Sequence, residues 1–270
     1  MRILLAFAAL ALAAASSPCA AAAGAQSVFL EDMTWTELQA RIAAGTTTVI
    51  VPIGGTEQSG PHIALGKHNA RAKALSARIA AQLGNAVVAP VIAYVPEGSI
   101  DPPAGHMRFP GTISIPADVF ERTLEAAGQS LKKHGFRDIV FLGDHGGYQN
   151  LERLAAERLN RQWAGTPARA HAVEEYYRAA DVSFGHALQQ RGYRSDEIGS
   201  HAALADTSLT MALAPEMVRT ETLSGNVKFG PAEGVYGGDP HRATAELGQI
   251  GVDLIVAETV AAIRRDVARR

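Results

Sequence analysis

The sequence predicts an α/β domain, a mostly parallel β-sheet flanked by helices on both faces. Three observations carry that prediction. Thr46 to Ile53 (TTTVIVPI) and Asp138 to Leu142 (DIVFL) are short apolar runs rich in β-branched residues, the pattern of strands buried on both faces. Each runs directly into a glycine turn with polar residues, Gly54-Gly55-Thr56-Glu57 and Gly143-Asp144-His145-Gly146-Gly147. Segments of helical period separate the strands, and that alternation is the sequence form of a parallel sheet with crossover helices.

Glu31 to Ala44 reads as a short helix, with Trp35, Leu38 and Ile42 on one face and Thr34 with Glu37 as a capping box. The strand at 46–53 follows and is expected to be central. Asn69 to Leu83 carries alanines and leucines at helical spacing and stops at Gly84, a C-cap residue. Val87 to Val95 is a second apolar strand, strained by Pro90. Pro96 to Pro116 (PEGSIDPPAGHMRFPGTISIP) is a long irregular stretch, and such a loop inside a compact domain is usually functional. Ala117 to His134 reads as a helix ending at Gly135, and Asn150 to Gln162, after the strand at 138–142, as another. Ala168 to Tyr177 is a candidate fourth strand, and Ala203 to Ala214 and Val252 to Val267 are the later helices. Between these, Ser224 to Pro240 is a glycine-rich loop with room for a short strand.

The chain has 270 residues, 47% hydrophobic and 19% charged, which suits a folded domain rather than a disordered chain. A net charge of -2 gives no reason to expect nucleic acid or a membrane surface as partner. Residues 1–25 read as a secretory signal peptide. Arg2 is followed by an apolar run from Ile3 to Ala15 and an Ala23-Gly24-Ala25 cleavage site, and the run is shorter than the roughly 18–20 residues of a spanning helix. The mature chain, 26–270, is then expected to be one periplasmic or secreted domain. Cleavage would remove Cys19, the only cysteine, and with it disulfide and thiol chemistry. A lipid anchor at Cys19 is the lesser alternative, because Ser16-Ser17-Pro18 is a poor context for it.

In an open parallel sheet, side chains just past the carboxyl ends of neighbouring strands converge on one crevice. Glu57 and His145 are therefore expected to meet, and His68, at the start of a helix, can fold back over the same loop. Imidazoles with a carboxylate form a ligand set for zinc or a similar divalent ion, although solvated loop and cap residues would give the same pattern. His201 and Asp206, at another helix entrance, could supply a base and its orienting partner, further ligands, or plain capping polarity. No G-x-S-x-G elbow, H-E-x-x-H, phosphate loop or G-x-G-x-x-G is present. His134, His171, His186 and His241 have no clustered context.

Five segments together resemble the creatininase family. Pro52-Ile53-Gly54-Gly55-Thr56-Glu57-Gln58-Ser59-Gly60-Pro61-His62 is similar to its signature P-x-G-x-x-E-Q-H-G-P-H-L-P. His106 to Ser114 (HMRFPGTIS) resembles H-x-x-F-P-G-T-x-S, and Asp144-His145-Gly146-Gly147 resembles N-G-H-G-G-N. Ser200-His201-Ala202-Ala203 to Asp206-Thr207-Ser208 is similar to G-H-A-G-x-x-E-T-S, and Gly238-Asp239-Pro240 with Ala243-Thr244 to G-D-P-x-x-A-T. The resemblance implies a homo-oligomeric, metal-dependent amidohydrolase, usually dinuclear. It places Glu57 and His145 as metal ligands, His201 as a catalytic histidine and Asp206 at a site glutamate. Three positions depart from it: Ser59 stands for a ligand histidine, His68 for the bridging aspartate and Gly147 for a ligand glutamate.

These departures predict a single-ion site of Glu57, His68 and His145, taking zinc first and manganese second. The expected chemistry is hydrolysis of a C–N bond in a small, open or cyclic amide. His201 would shuttle the proton with Asp206 as its orienting partner, and His62 and His106 would hold substrate. The rival expectation is a non-catalytic periplasmic binding protein that kept the fold and lost the chemistry.

Overall fold

In the computed structural model, residues 27–225 and 227–269 are described, and the expected signal peptide and Cys19 lie outside them. The framework is a four-stranded parallel sheet in the order β2-β1-β3-β4, formed by β1 (Thr48–Ile53), β2 (Ala86–Val88), β3 (Asp138–Gly143) and β4 (Arg169–Ala172). The register runs Thr48 beside Asp138 through Ile53 beside Gly143, so the two central strands end level with each other. Every residue of β1 and β3 is buried, as the uninterrupted apolar runs predict.

Successive side chains of a strand point to opposite faces. Ile50, Val140 and Leu142 meet Leu75 and Ile79 of α2 (Lys67–Leu83) and Val252, Ile255 and Val256 of α9 (Ala245–Ala268). Val49, Val51, Ile139 and Phe141 meet Phe120 and Leu124 of α3 (Ala117–Lys133) and Ala155 and Leu159 of α4 (Gln149–Gln162). Helices therefore cover both faces. The first helix, α1 (Trp35–Ala43), carries the expected capping box between Thr34 and Glu37 and lays Leu38 and Ile42 against the second cluster.

Three elements differ from the sequence expectation. The second strand stops at Val88, because Pro90 cannot donate to the ladder, and only an isolated bridge from Ile53 to Ile92 continues it. The fourth strand ends at Ala172, after which Glu174 and Glu175 occupy the first turn of α5 (Glu174–Arg178), where acidic residues favour a helix N-terminus. The helix expected from Asn69 begins at Lys67, which brings Lys67 and His68 onto its first turn.

Farther along, α6 (Phe184–Gln189) and α7 (Ser195–Ile198) lead to β5 (Gly199–His201), α8 (Leu204–Leu213) and β6 (Tyr236–Gly238). β5 and β6 pair antiparallel with His201 opposite Tyr236, and His201 Nδ1 lies 3.6 Å from Glu57, just past the carboxyl end of β1. α8 crosses α9 at Gly248, where a Cβ would meet the Ser208 carbonyl oxygen at 1.8 Å. Among the described residues no helix is long and apolar enough to cross a membrane.

Candidate active site

Each central strand delivers its polar residue by a tight turn. After β1, the Gly55 N–H donates to Asn69 Oδ1 at 3.0 Å, which fastens the turn to the start of α2. Gly55 has φ +153°, and a Cβ there would meet Glu97 Oε1 at 2.5 Å, so glycine makes room for a second carboxylate beside Glu57. Glu97 follows the second strand region and is held by its N–H donating to Ser114 Oγ at 3.0 Å. Asp144 and His145 follow β3, and His106 comes from a short 3₁₀ turn in the long loop, Gly105–Arg108.

Glu57 is the hub and is fully buried. His68 Nε2 lies 2.7 Å from its Oε1, His201 Nδ1 3.6 Å and Lys67 Nζ 3.7 Å. His106 Nε2 is 3.3 Å and His145 Nε2 3.5 Å from Oε2. Burial alone would raise the Glu57 pKa, but His68, Lys67 and His145 outweigh it and hold the carboxyl well below its ordinary range. Glu97 behaves oppositely. Burial, and then the Glu57 charge, push it up to about 9. Burial drives His145 down to about 4 and, with the Lys67 charge, His201 to about 3, so both imidazoles are neutral near pH 7.

Beneath Glu57 lies a layer of charge in which Lys67, Arg71 and Asp144, given no role from the sequence, join Asp206 and His68. Lys67 and Arg71, one turn apart on α2, both pair with Asp206, which also accepts the Ala202 N–H at 2.8 Å. Arg71 Nε is 3.2 Å from Asp144 Oδ2, and the Tyr176 hydroxyl donates to Asp144 Oδ1 at 2.8 Å. His68 donates through Nδ1 to Asp144 Oδ2 at 2.6 Å. Burial and Lys67 lower the His68 pKa, but Glu57 and Asp144 reverse this and raise it, and each ring nitrogen faces a carboxylate oxygen.

The expected residues therefore separate. Glu57, His145, His106 and His201 converge. His68 lies among them with both its nitrogens engaged by carboxylates, and Glu97, which the sequence did not single out, joins the cluster beside His145. Asp206 makes its bonds to Lys67, Arg71 and Ala202 rather than to His201, whose bonding partner is Gln58. His62 is buried, pairs through Nε2 with Thr207 Oγ1 at 3.0 Å and stacks on Phe229, away from the walls of the cavity. Ser59 is buried with no partner for its hydroxyl, and Gly147 is exposed. The cavity above the cluster is about 320 Å³ and is lined in part by Lys67, His106, His145, His201, Tyr177 and Tyr236.

A divalent ion fits one part of this cluster. Glu57 Oε2 and both Glu97 oxygens are buried with no side-chain or backbone N–H closer than His106 Nε2, at 3.3 Å from Glu57 Oε2, and His145 Nε2, at 3.5 Å from one carboxylate and 3.6 Å from the other. The three residues have potential ligand atoms within 4.8 Å of one another, as does a second group of Glu57, His106 and His201. His145 Nδ1 accepts the Gly147 N–H at 3.1 Å, so ligation through Nε2 would move the ring proton to Nδ1 and release that N–H. Gly147 is exposed and its N–H can turn to water, which keeps the cost to about 1 kcal/mol.

Residues 31–263 match the family model for creatininase, creatinine amidohydrolase. The creatinine amidohydrolase of Pseudomonas putida is 29% identical over 227 residues, covering 82% of this chain and 85% of that protein. A mycofactocin precursor peptide peptidase of Mycolicibacterium smegmatis is 42% identical over 113 residues, 40% of this chain and 42% of that one. A crystal structure of creatinine amidohydrolase superposes with a TM-score of 0.74 at 25% identity, covering 89% of this chain and 98% of the other.

Proposed function

This chain belongs to the creatininase family, and on that premise we propose that it is a metal-dependent hydrolase that cleaves a C–N amide bond in a small, open or cyclic substrate. The observation that carries the proposal is the convergence of Glu57, Glu97 and His145, two buried carboxylates facing each other with an imidazole at their edge. They would hold one divalent ion, zinc before manganese. Such an ion supplies Lewis-acid activation of water and of the substrate carbonyl.

Charge balance supports one ion rather than two. Lys67, Arg71 and His68 already face Glu57, Asp144 and Asp206, which leaves Glu97 as the carboxylate in excess. A second divalent ion would add charge to a buried layer that is already compensated.

The chain's own groups then divide the work. Glu57 and Glu97 orient as ligands. His201 turns Nδ1 to the Glu57 side of the cavity, the position from which it would take a proton from the attacking water and return it to the departing nitrogen. His106 faces the same point and would hold the substrate carbonyl. Asp206 and Asp144 keep Lys67 and Arg71 in place beneath the site. An exported homo-oligomer completes the proposal: the leader-like sequence at 1–25 supports export, and the family premise supports the oligomer.

The test is metal uptake followed by turnover. Protein loaded with zinc or manganese should hold one equivalent per chain, and Glu97→Gln and His145→Ala should each weaken uptake at least tenfold. A panel of small cyclic amides, linear amides and short peptides offered to the loaded protein should then reveal turnover. Uptake of no ion would overturn the metal site. One ion with no hydrolysis across the panel would favour a non-catalytic binding protein.

A further inference from the structure

Two adjacent imidazoles at the cavity floor, His106 and His201, have ring centroids 4.5 Å apart; the side chain of Gln58 reaches both and its backbone carbonyl reaches His201. Gln58 is 5% exposed, and its orientation is fixed. Its own N–H donates to Thr112 Oγ1 at 3.1 Å, and its Oε1 accepts the Gly60 N–H at 3.0 Å. Gly234, at φ +77°, leaves the space for that oxygen, since a Cβ there would meet Oε1 at 1.9 Å. With Oε1 committed to Gly60, the amide turns its NH₂ toward the histidines.

An amide nitrogen has protons to give and no lone pair to offer. His106 Nδ1, 3.0 Å from Gln58 Nε2, must therefore be the acceptor, which places the ring proton of neutral His106 on Nε2. His201 Nε2 lies 3.0 Å from the Gln58 carbonyl oxygen and 3.2 Å from Gln58 Nε2. One ring nitrogen cannot both accept from the amide and donate to the carbonyl. The amide N–H goes to His106 at the shorter 3.0 Å, and the carbonyl oxygen, which only accepts, is the nearer of the two groups to His201 Nε2, so His201 donates from Nε2 there and keeps the lone pair on Nδ1. The first ring thus turns an N–H toward Glu57 Oε2, at 3.3 Å, and the second turns a lone pair toward Glu57 Oε1, at 3.6 Å.

We propose that Gln58 is a positioning residue that sorts His106 and His201 into a hydrogen-bond donor and a proton acceptor, and thereby keeps the Glu57, His106 and His201 group one ligand short of a second metal site. The inference rests on the single-ion hydrolase reading and adds a division of labour to it. His106 Nε2–H becomes the donor to the substrate carbonyl oxygen, and His201 Nδ1 the site that receives and returns the proton. Metal ligation by His106 Nε2 would need the opposite tautomer, with the buried amide of Gln58 reversed against Gly60. Gly147 can release His145 to water, but buried Gln58 cannot release His106 at similar cost.

The test is Gln58→Glu, which keeps shape but accepts where the NH₂ donated, with the wild-type zinc form as reference. Long-range ¹H–¹⁵N NMR of the histidine rings, with His106 assigned by loss of its signals in His106→Asn, should show Nε2–H in the wild type and Nδ1–H in Gln58→Glu. Zinc uptake should rise from one equivalent toward two as His106 Nε2 becomes a ligand. On a substrate that the loaded wild type turns over, kcat should fall about 10²–10⁴-fold with KM changing less than threefold. Gln58→Met, which neither donates nor accepts at that position, should give mixed His106 tautomers with one equivalent of zinc. Nδ1–H on wild-type His106, or an unchanged tautomer in Gln58→Glu, would overturn the proposal. If the wild type shows the expected tautomers but takes up no metal, the hydrolase reading fails while the sorting by Gln58 stands.

Discussion

His68 donates to Asp144 at 2.6 Å, and its other ring nitrogen lies 2.7 Å from Glu57, so one imidazole ties together the residues that follow the two central strands. Its pKa is raised above the ordinary value. A group that holds its proton more tightly when folded stabilises the fold most below its unfolded pKa, about 6.5, and loses that contribution as pH rises through the folded value. His68→Gln in metal-free protein should therefore cost about 3–5 kcal/mol at pH 6. The difference from wild type should shrink as pH rises above the folded value. Urea unfolding of both proteins across pH 5.5–9 measures it, and a difference that grows with pH would contradict the assignment.

Arg71 is buried between Asp144 and Asp206, and both carboxylates are held below their ordinary range in part by it. Arg71→Met leaves the two acids with less compensation in a low-dielectric layer. The expected cost is about 3–5 kcal/mol at pH 7. Protonating the stranded acids relieves it, so urea midpoints of variant and wild type should approach one another on going from pH 7 to pH 4.

The crossing of α8 and α9 gives a test away from the charges. A methyl group at Gly248 has no room, because the obstacle is the Ser208 backbone carbonyl rather than a movable side chain. Gly248→Ala should lower stability by about 1–3 kcal/mol, since overpacking a fixed backbone forces the helices apart. The thermal midpoint should fall with Thr259→Val as the control, because Thr259 is buried on the same helix and its hydroxyl has no partner.

Much of the architecture was legible in the sequence. Apolar runs without polar interruption located β1 and β3, and their glycine exits located Glu57 and His145. What the sequence obscured was pairing across distance. Glu97 follows the second strand region as Glu57 and His145 follow the other two, and that positional analogy could have found it had Pro90 not blurred the strand's end. Lys67 and Arg71 are four apart and so share a helix face, a signal weakened by placing the helix start at Asn69. The role of Gln58 depends on Gly60 and Gly234 fixing one amide, and nothing in the local sequence announces that.

Glu97 offers the sharpest account of metal dependence. Its pKa of about 9 reflects burial beside the Glu57 charge, so metal-free protein at pH 7 keeps a proton there. In the folded chain the proton is held more tightly than in the unfolded chain. The associated stability is full below about 4.5, declines as pH rises through that window and is gone above about 9. A divalent ion between the carboxylates displaces the proton, so uptake should release about one proton per chain at pH 7 and apparent affinity should rise about tenfold per pH unit up to about 9. Calorimetric titration with zinc in two buffers of different ionisation enthalpy counts the released protons. Glu97→Gln should release about one fewer and lose most of the pH dependence. An equal count in both proteins would mean that Glu97 is already ionised and that another group gives up the proton.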